Sequence, residues 1–157
     1  MSDHELREFL AGMLDWQQAH ASFDSATADM PAALRGQRAE GVPHSVWEMV
    51  EHVRLAQRDI LDFCLDPAYE APHWPDDYWP AEPAPASVGA WDATIAQYHA
   101  DVAELQRLVR DADFDPFATV PWGSGQTYIR EITLVFDHTA YHVGQIVLTR
   151  RLLGAWK

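Results

Sequence analysis

Cysteine is nearly missing from this chain: a single one, Cys64, stands among 157 residues. That excludes a disulfide framework and points to a reducing, cytoplasmic setting. Basic residues are scarce as well, 11 Lys and Arg against 24 Asp and Glu. A net charge of −13 repels phosphate backbones and anionic lipid surfaces, so neither nucleic acid nor membrane is expected as a partner. No apolar run approaches the roughly 18 to 20 residues of a membrane span. The opening Met-Ser-Asp-His-Glu-Leu lacks the basic and apolar blocks of a signal peptide. Period-two alternation and internal repeats are absent too, which argues against sheet and repeat architectures. Tryptophan and proline are plentiful instead, seven and ten, and several of both fall in one stretch. A chain of this length is expected to form a single domain, residues 1–157, with no need of a disulfide or metal merely to fold.

Ser2 and Glu5 have capping-box spacing and open a first helix expected to run to about Asp29, ahead of Pro31. Its apolar stripe, Leu6, Phe9, Leu10, Met13 and Leu14, continues on the same face as Gln17, His20, Asp24 and Thr27, so the inner face turns polar halfway along. A second capping box, Ser45 to Glu48, opens a helix over residues 45–65 with His52 at the edge of its apolar stripe. Residues 66–86 then carry prolines at 67, 72, 75, 80, 83 and 85, with Tyr69, Trp74, Tyr78 and Trp79 between them. Such density forbids a regular helix, and a connection this long serves as a lid, a binding loop or a crossover. Ser87 caps a third helix ending near Asp111, and Thr127 starts a last one ending near Leu153 with Gly154 as its stop. Four long helices and no strands predict an all-α four-helix bundle.

The chemistry concentrates in the last helix, at Asp137-His-Thr-Ala-Tyr-His-Val-Gly-Gln145. His138 and His142 stand four residues apart, so both rings leave one helical face and can share an ion. Two imidazoles hold a divalent ion weakly, and a third ligand must come from a facing helix. His52 lies about 10 Å past the N-cap of its helix, and His142 about 16 Å before the end of its own. If the two helices run antiparallel, the three rings reach one level. His20, about 12 Å before the end of the first helix, reaches that level on the same logic and brings Gln17 and Asp24 to the same cavity. It is read either as a catalytic group, contacting substrate or shuttling a proton, or as a histidine bonded to Asp24, its i+4 neighbour. Antiparallel second and last helices require a long crossover between the second and third, which residues 66–86 can supply. Cys64 falls on the buried stripe and is expected to be inert, and His4, His44, His73 and His99 are expected on the surface or in loops.

The pattern Ser45-x-x-Glu-x-x-x-His52, then Asp137-His-x-x-Tyr-His142-x-x-Gln-Ile and Arg150-Arg-x-Leu-Gly154, resembles the DinB/YfiT-like superfamily over nearly the whole chain. The resemblance implies an up-down-down-up bundle and a divalent metal held by three histidines, which map onto His52, His138 and His142. Zinc and nickel both suit imidazole ligands. Characterised relatives include thiol transferases and a mycothiol-dependent isomerase, so the resemblance favours a small-molecule substrate, a low-molecular-weight thiol, transferred to an electrophile. Hydrolysis of a small substrate and a non-enzymatic metal-binding stress-response bundle are the alternatives. Opposite the core stripe of the last helix, Leu134, Tyr141, Leu148 and Leu152 form an apolar line at near-heptad spacing. A helix apolar on both faces predicts a homodimer through that helix.

Overall fold

The computed structural model describes residues 2–17 and 19–156. Among these the chain forms five helices: α1 (Asp3–Met13), α2 (Phe23–Thr27), α3 (Val46–Leu65), α4 (Val88–Arg110) and α5 (Tyr128–Leu152). Short 3-10 turns occur at Ala32–Leu34 and Asp76–Tyr78, and no strand forms among the described residues. α3 packs against both α4 and α5, α1 lies on α4, and α2 lies on α5. One apolar cluster draws on all five, with Leu10, Phe23, Val50, Leu105 and Ile132 as representatives. No helix among the described residues is long and apolar enough to cross a membrane.

Both capping boxes form. The Ser45 hydroxyl accepts the Glu48 N–H at 3.1 Å, and the Glu48 carboxylate accepts the Ser45 N–H at 2.6 Å. Burial pushes the Glu48 carboxyl up, but the Arg38 guanidinium and the Ser45 donors outweigh it and hold the group below its ordinary range. The start of α3, and with it the position of His52, is therefore fixed by paired charge as well as by apolar packing. Thr127 precedes α5 without a side-chain cap bond, and Gly154, at φ 71, stops the chain after it.

The first predicted helix does not reach Asp29. It stops at Met13, residues 14–17 and 19–22 are irregular, and a new helix begins at Phe23, while Gln18 lies outside the described residues. The cause is in the pattern. α1 buries Leu10 and Ala11 and is followed by buried Leu14, but the stripe beyond offers Gln17 and His20, both exposed. A helix this short is held by packing of its apolar face and ends where that face ends. Ser22 then supplies a fresh cap, its hydroxyl accepting the Ser25 N–H at 3.1 Å. Asp29, at φ 52, turns the chain away before Pro31.

Buried arginines tie the ends of elements together. Arg7 donates to the Val109 and Asp111 carbonyls at the C-terminus of α4, at 3.1 and 2.7 Å. Arg150 donates to Ala26 in α2 at 2.7 Å and to Ala155 at 3.1 Å. The proline-rich residues 66–86 are fastened to α3 by Tyr69 and Tyr78, whose hydroxyls donate to the two oxygens of Asp59 at 2.6 and 2.8 Å. Gly36 backs directly onto the far end of that segment: a Cβ there would meet the Ala84 Cβ at 2.3 Å. Only glycine permits so close an approach of the two chains.

Candidate metal centre

α3 and α5, packed side by side, bring His52, His138 and His142 together. One ring nitrogen from each lies within 4.8 Å of the others. His52 Nε2 and His138 Nε2 are 3.1 Å apart. Two imidazoles bound at about 2.0–2.1 Å to one tetrahedral ion would show nitrogens about 3.3 Å apart, so the spacing suits shared ligation. His52 and His142 are buried and His138 is half-buried. Nδ1 of His142 is buried with no hydrogen-bond partner among the described residues.

The orientation of His52 comes from the proline-rich segment. Its Nδ1–H donates to the Tyr78 carbonyl at 2.7 Å, which fixes the tautomer and leaves the Nε2 lone pair facing the other two rings. Trp79 then stacks flat on the His52 ring, centroids 3.9 Å apart at an interplanar angle of 1°, and also on His44 at 3.9 Å. Tyr78 and Trp79 thus place a carbonyl and an indole against one candidate ligand. Trp74, by contrast, is 68% exposed and only edges on Tyr78. The signal available in the sequence was the aromatic pair ahead of Pro80; its contact with His52 depends on how the segment folds back.

Electrostatics favour neutral donors. Burial pulls the His52 imidazole below its ordinary 6.5. Burial together with the neighbouring His52 brings His138 down to about 4. His142, desolvated and beside both other rings, falls to about 3. Three imidazoles that resist protonation and crowd their lone pairs together fit a divalent ion, which needs neutral nitrogen and relieves the repulsion among the rings. No fourth His, Cys, Asp or Glu among the described residues joins the three.

The other residues singled out in the sequence lie elsewhere. His20 is exposed, with Nδ1 donating to the Ala21 carbonyl at 2.8 Å. It lines a cavity together with Asp24, Tyr98, Asp137 and Thr139, and none of the three clustered histidines lines that cavity. Asp24 is bonded to His99 and not to His20: His99 Nε2 donates to Asp24 Oδ1 at 2.8 Å. Gln17 is exposed and donates to Asp15 at 3.4 Å. The expected polar patch at the depth of the histidines does not assemble, because the helix that would have carried it there breaks at Met13. His44 lies in the loop before α3, half-buried against Trp79, and its Nδ1 has no hydrogen-bond partner among the described residues, with the Glu48 carboxylate 3.9 Å away. Cys64 is 2% exposed, and burial pushes its thiol up to about 12.

A helical bundle with imidazoles from two facing helices converging on one point defines a class of protein compatible with metal binding. The chain belongs to the DinB superfamily, whose family model matches residues 15–146. No curated protein and no solved structure matches it.

Proposed function

We propose that this protein is a metal-dependent enzyme that holds zinc or nickel through His52, His138 and His142 and acts on a small molecule. The observation that carries the reading is the donor set: three neutral imidazoles with no fourth protein ligand among the described residues. Structural zinc sites use four protein ligands, whereas catalytic ones use three and leave a position for water or substrate. A divalent ion so bound lowers the pKa of a coordinated water or thiol, making a nucleophile at neutral pH. The chain's own residues set the conditions for this. Tyr78 holds the His52 tautomer, Trp79 covers one face of that ring, and the surrounding core keeps all three imidazoles unprotonated. His20 has no part in the reading, since it stands in a cavity that none of the three histidines lines.

Membership of the DinB superfamily favours transfer of a low-molecular-weight thiol to an electrophile over hydrolysis. The same membership, with α3 packed against both α4 and α5 and a long connection over residues 66–86, supports up-down-down-up order with that connection as a crossover. Tyr141, Leu148 and Leu152 on the outer face of α5 are 63, 55 and 57% exposed, and they support pairing with a second copy through this helix, whereas Leu134, the first residue of the expected line, is half-buried against the core. Light scattering coupled to gel filtration should then give a dimer mass; a monomer at micromolar concentration overturns the pairing. For the reaction, bacterial thiols should be screened against electrophiles with the metal-loaded protein. Turnover that chelation abolishes and added metal restores is expected. Turnover indifferent to chelation contradicts the metal-dependent reading, and chelation-sensitive hydrolysis without thiol transfer replaces the transferase.

A further inference from the structure

The cavity that His20 lines has its own chemistry. It measures about 230 Å³ and lies between the irregular residues that follow α1, the start of α2, Tyr98 of α4 and the flank of α5 that carries Asp137, Thr139 and Ala140. Successive residues on a helix are about 100° apart, so this flank faces away from His138 and His142. The floor is apolar and closed: Leu14, Phe23, Tyr98 and Val143 are each 2–4% exposed, and Phe23 stacks on Tyr98 with centroids 3.7 Å apart.

Three carboxylates, Asp15, Asp24 and Asp137, stand around this floor, together with the rings of Trp16 and Phe136, and no Lys or Arg among the described residues lines the cavity. Asp24 is bonded to His99, Asp15 accepts from the Gln17 amide at 3.4 Å, and no ion pair among the described residues reaches Asp15 or Asp137. Asp15 and Asp137, with no ion pair among the described residues, disfavour an anionic ligand and attract a cation. Aromatic faces add attraction for the same charge. The whole chain, at −13, draws cations toward it.

We propose that this cavity is a second binding site, for a small organic ammonium with an apolar body. The hydrocarbon part occupies the floor of Leu14, Phe23, Tyr98 and Val143, and the ammonium sits at the rim among Asp15, Asp24 and Asp137. The site is separate from the histidine cluster, so its occupancy and the metal content of the protein are independent readouts.

The test uses the full chain loaded with zinc and three isosteric probes: 2-phenylethylammonium, 2-phenylethanol and phenylacetate. Calorimetry at low salt should show the ammonium binding about tenfold more tightly than the alcohol, as expected for one cation near several part-exposed carboxylates and rings. Phenylacetate should not bind. High salt should erase most of the difference between ammonium and alcohol. Amide NMR shifts should centre on Asp15, Tyr98 and Ala140. The Asp15→Asn/Asp137→Asn double variant should lose the preference for the ammonium, and Ala140→Leu, which fills the space, should lose binding of both probes, with zinc content unchanged in each. Equal affinity for alcohol and ammonium, shifts centred elsewhere, or no ammonium binding at millimolar concentration overturns the proposal.

Discussion

The two flanks of α5 are built from the same helix and have opposite electrostatics. On one, His138 and His142 face His52 of α3, and desolvation keeps the three imidazoles neutral, with a carbonyl and an indole from residues 66–86 closing on His52. On the other, carboxylates stand exposed around an apolar floor beside the irregular residues between α1 and α2. Burial decides the difference. A desolvated imidazole gives up its proton and offers a lone pair, while an exposed carboxylate keeps its charge and attracts a cation. One helix can in this way present a neutral-nitrogen site and an acidic recess a few residues apart.

The largest effect on how the two flanks hold together is expected at Arg150. This side chain, 5% exposed, donates to the Ala26 carbonyl of α2 and to Ala155, so it fastens α2 to α5 beside the acidic flank. Arg150→Ala should cost about 2–4 kcal/mol of stability by leaving those buried carbonyls unpaired, read as a lower urea midpoint. Zinc content at low temperature should survive, because α2 carries none of the three histidines. Loss of metal together with α2 packing would show that the flanks are not separable.

The histidine flank is sharpened by Asp59. Asp59→Ala removes the acceptor of both tyrosine hydroxyls and frees the segment that presents the Tyr78 carbonyl to His52. Removal of outer partners of a metal ligand costs about 10- to 100-fold in affinity, and because Asp59 acts through Tyr78 the lower end is expected, measured by competition with a chromogenic chelator. Affinity unchanged within twofold would mean the segment does not orient the ligand.

A smaller effect is expected from pH. In chelated protein the three imidazoles are held below 6.5, two of them at about 4 and 3. The unfolded chain therefore binds more protons than the native one below about pH 6.5, so stability is full above that value and is lost as pH falls toward the folded-state values. The urea midpoint should drop between about pH 7 and pH 5, and the drop should shrink when all three histidines are replaced by alanine. A midpoint flat across this range contradicts the burial argument. The smallest effect is at Cys64, whose buried thiol, pushed up to about 12, should stay unmodified by a thiol-selective reagent at neutral pH until the chain is unfolded. Rapid labelling of the native protein would contradict it.

How much of this was legible in the sequence follows from the range of the interactions. α3, α4 and α5 were readable because caps and apolar periodicity agree locally, at Ser45 with Glu48, at Ser87, and at Gly154. The pairing of His52 with His138 and His142 was readable because an i, i+4 spacing fixes a face and the third ligand needs only a facing helix. The break after Met13 is half visible, in the change from Leu10 and Leu14 to Gln17 and His20, but Asp24 and Thr27 continue the same face past the cap at Ser22, so the periodicity reads as one helix and carries Gln17 and His20 to the wrong depth. The Trp79 stack and the Tyr78 carbonyl depend on how an irregular segment returns to α3, and no local periodicity encodes such a return.

Whether His52, His138 and His142 hold one ion is decided by elemental analysis of protein purified without chelator, alongside His138→Ala prepared identically and shown to be folded by circular dichroism. About one equivalent of zinc or nickel per chain is expected in the parent and a small residue in the variant. Equal metal in both, or a metal-free parent that takes up neither ion on reconstitution, would contradict shared ligation by the three.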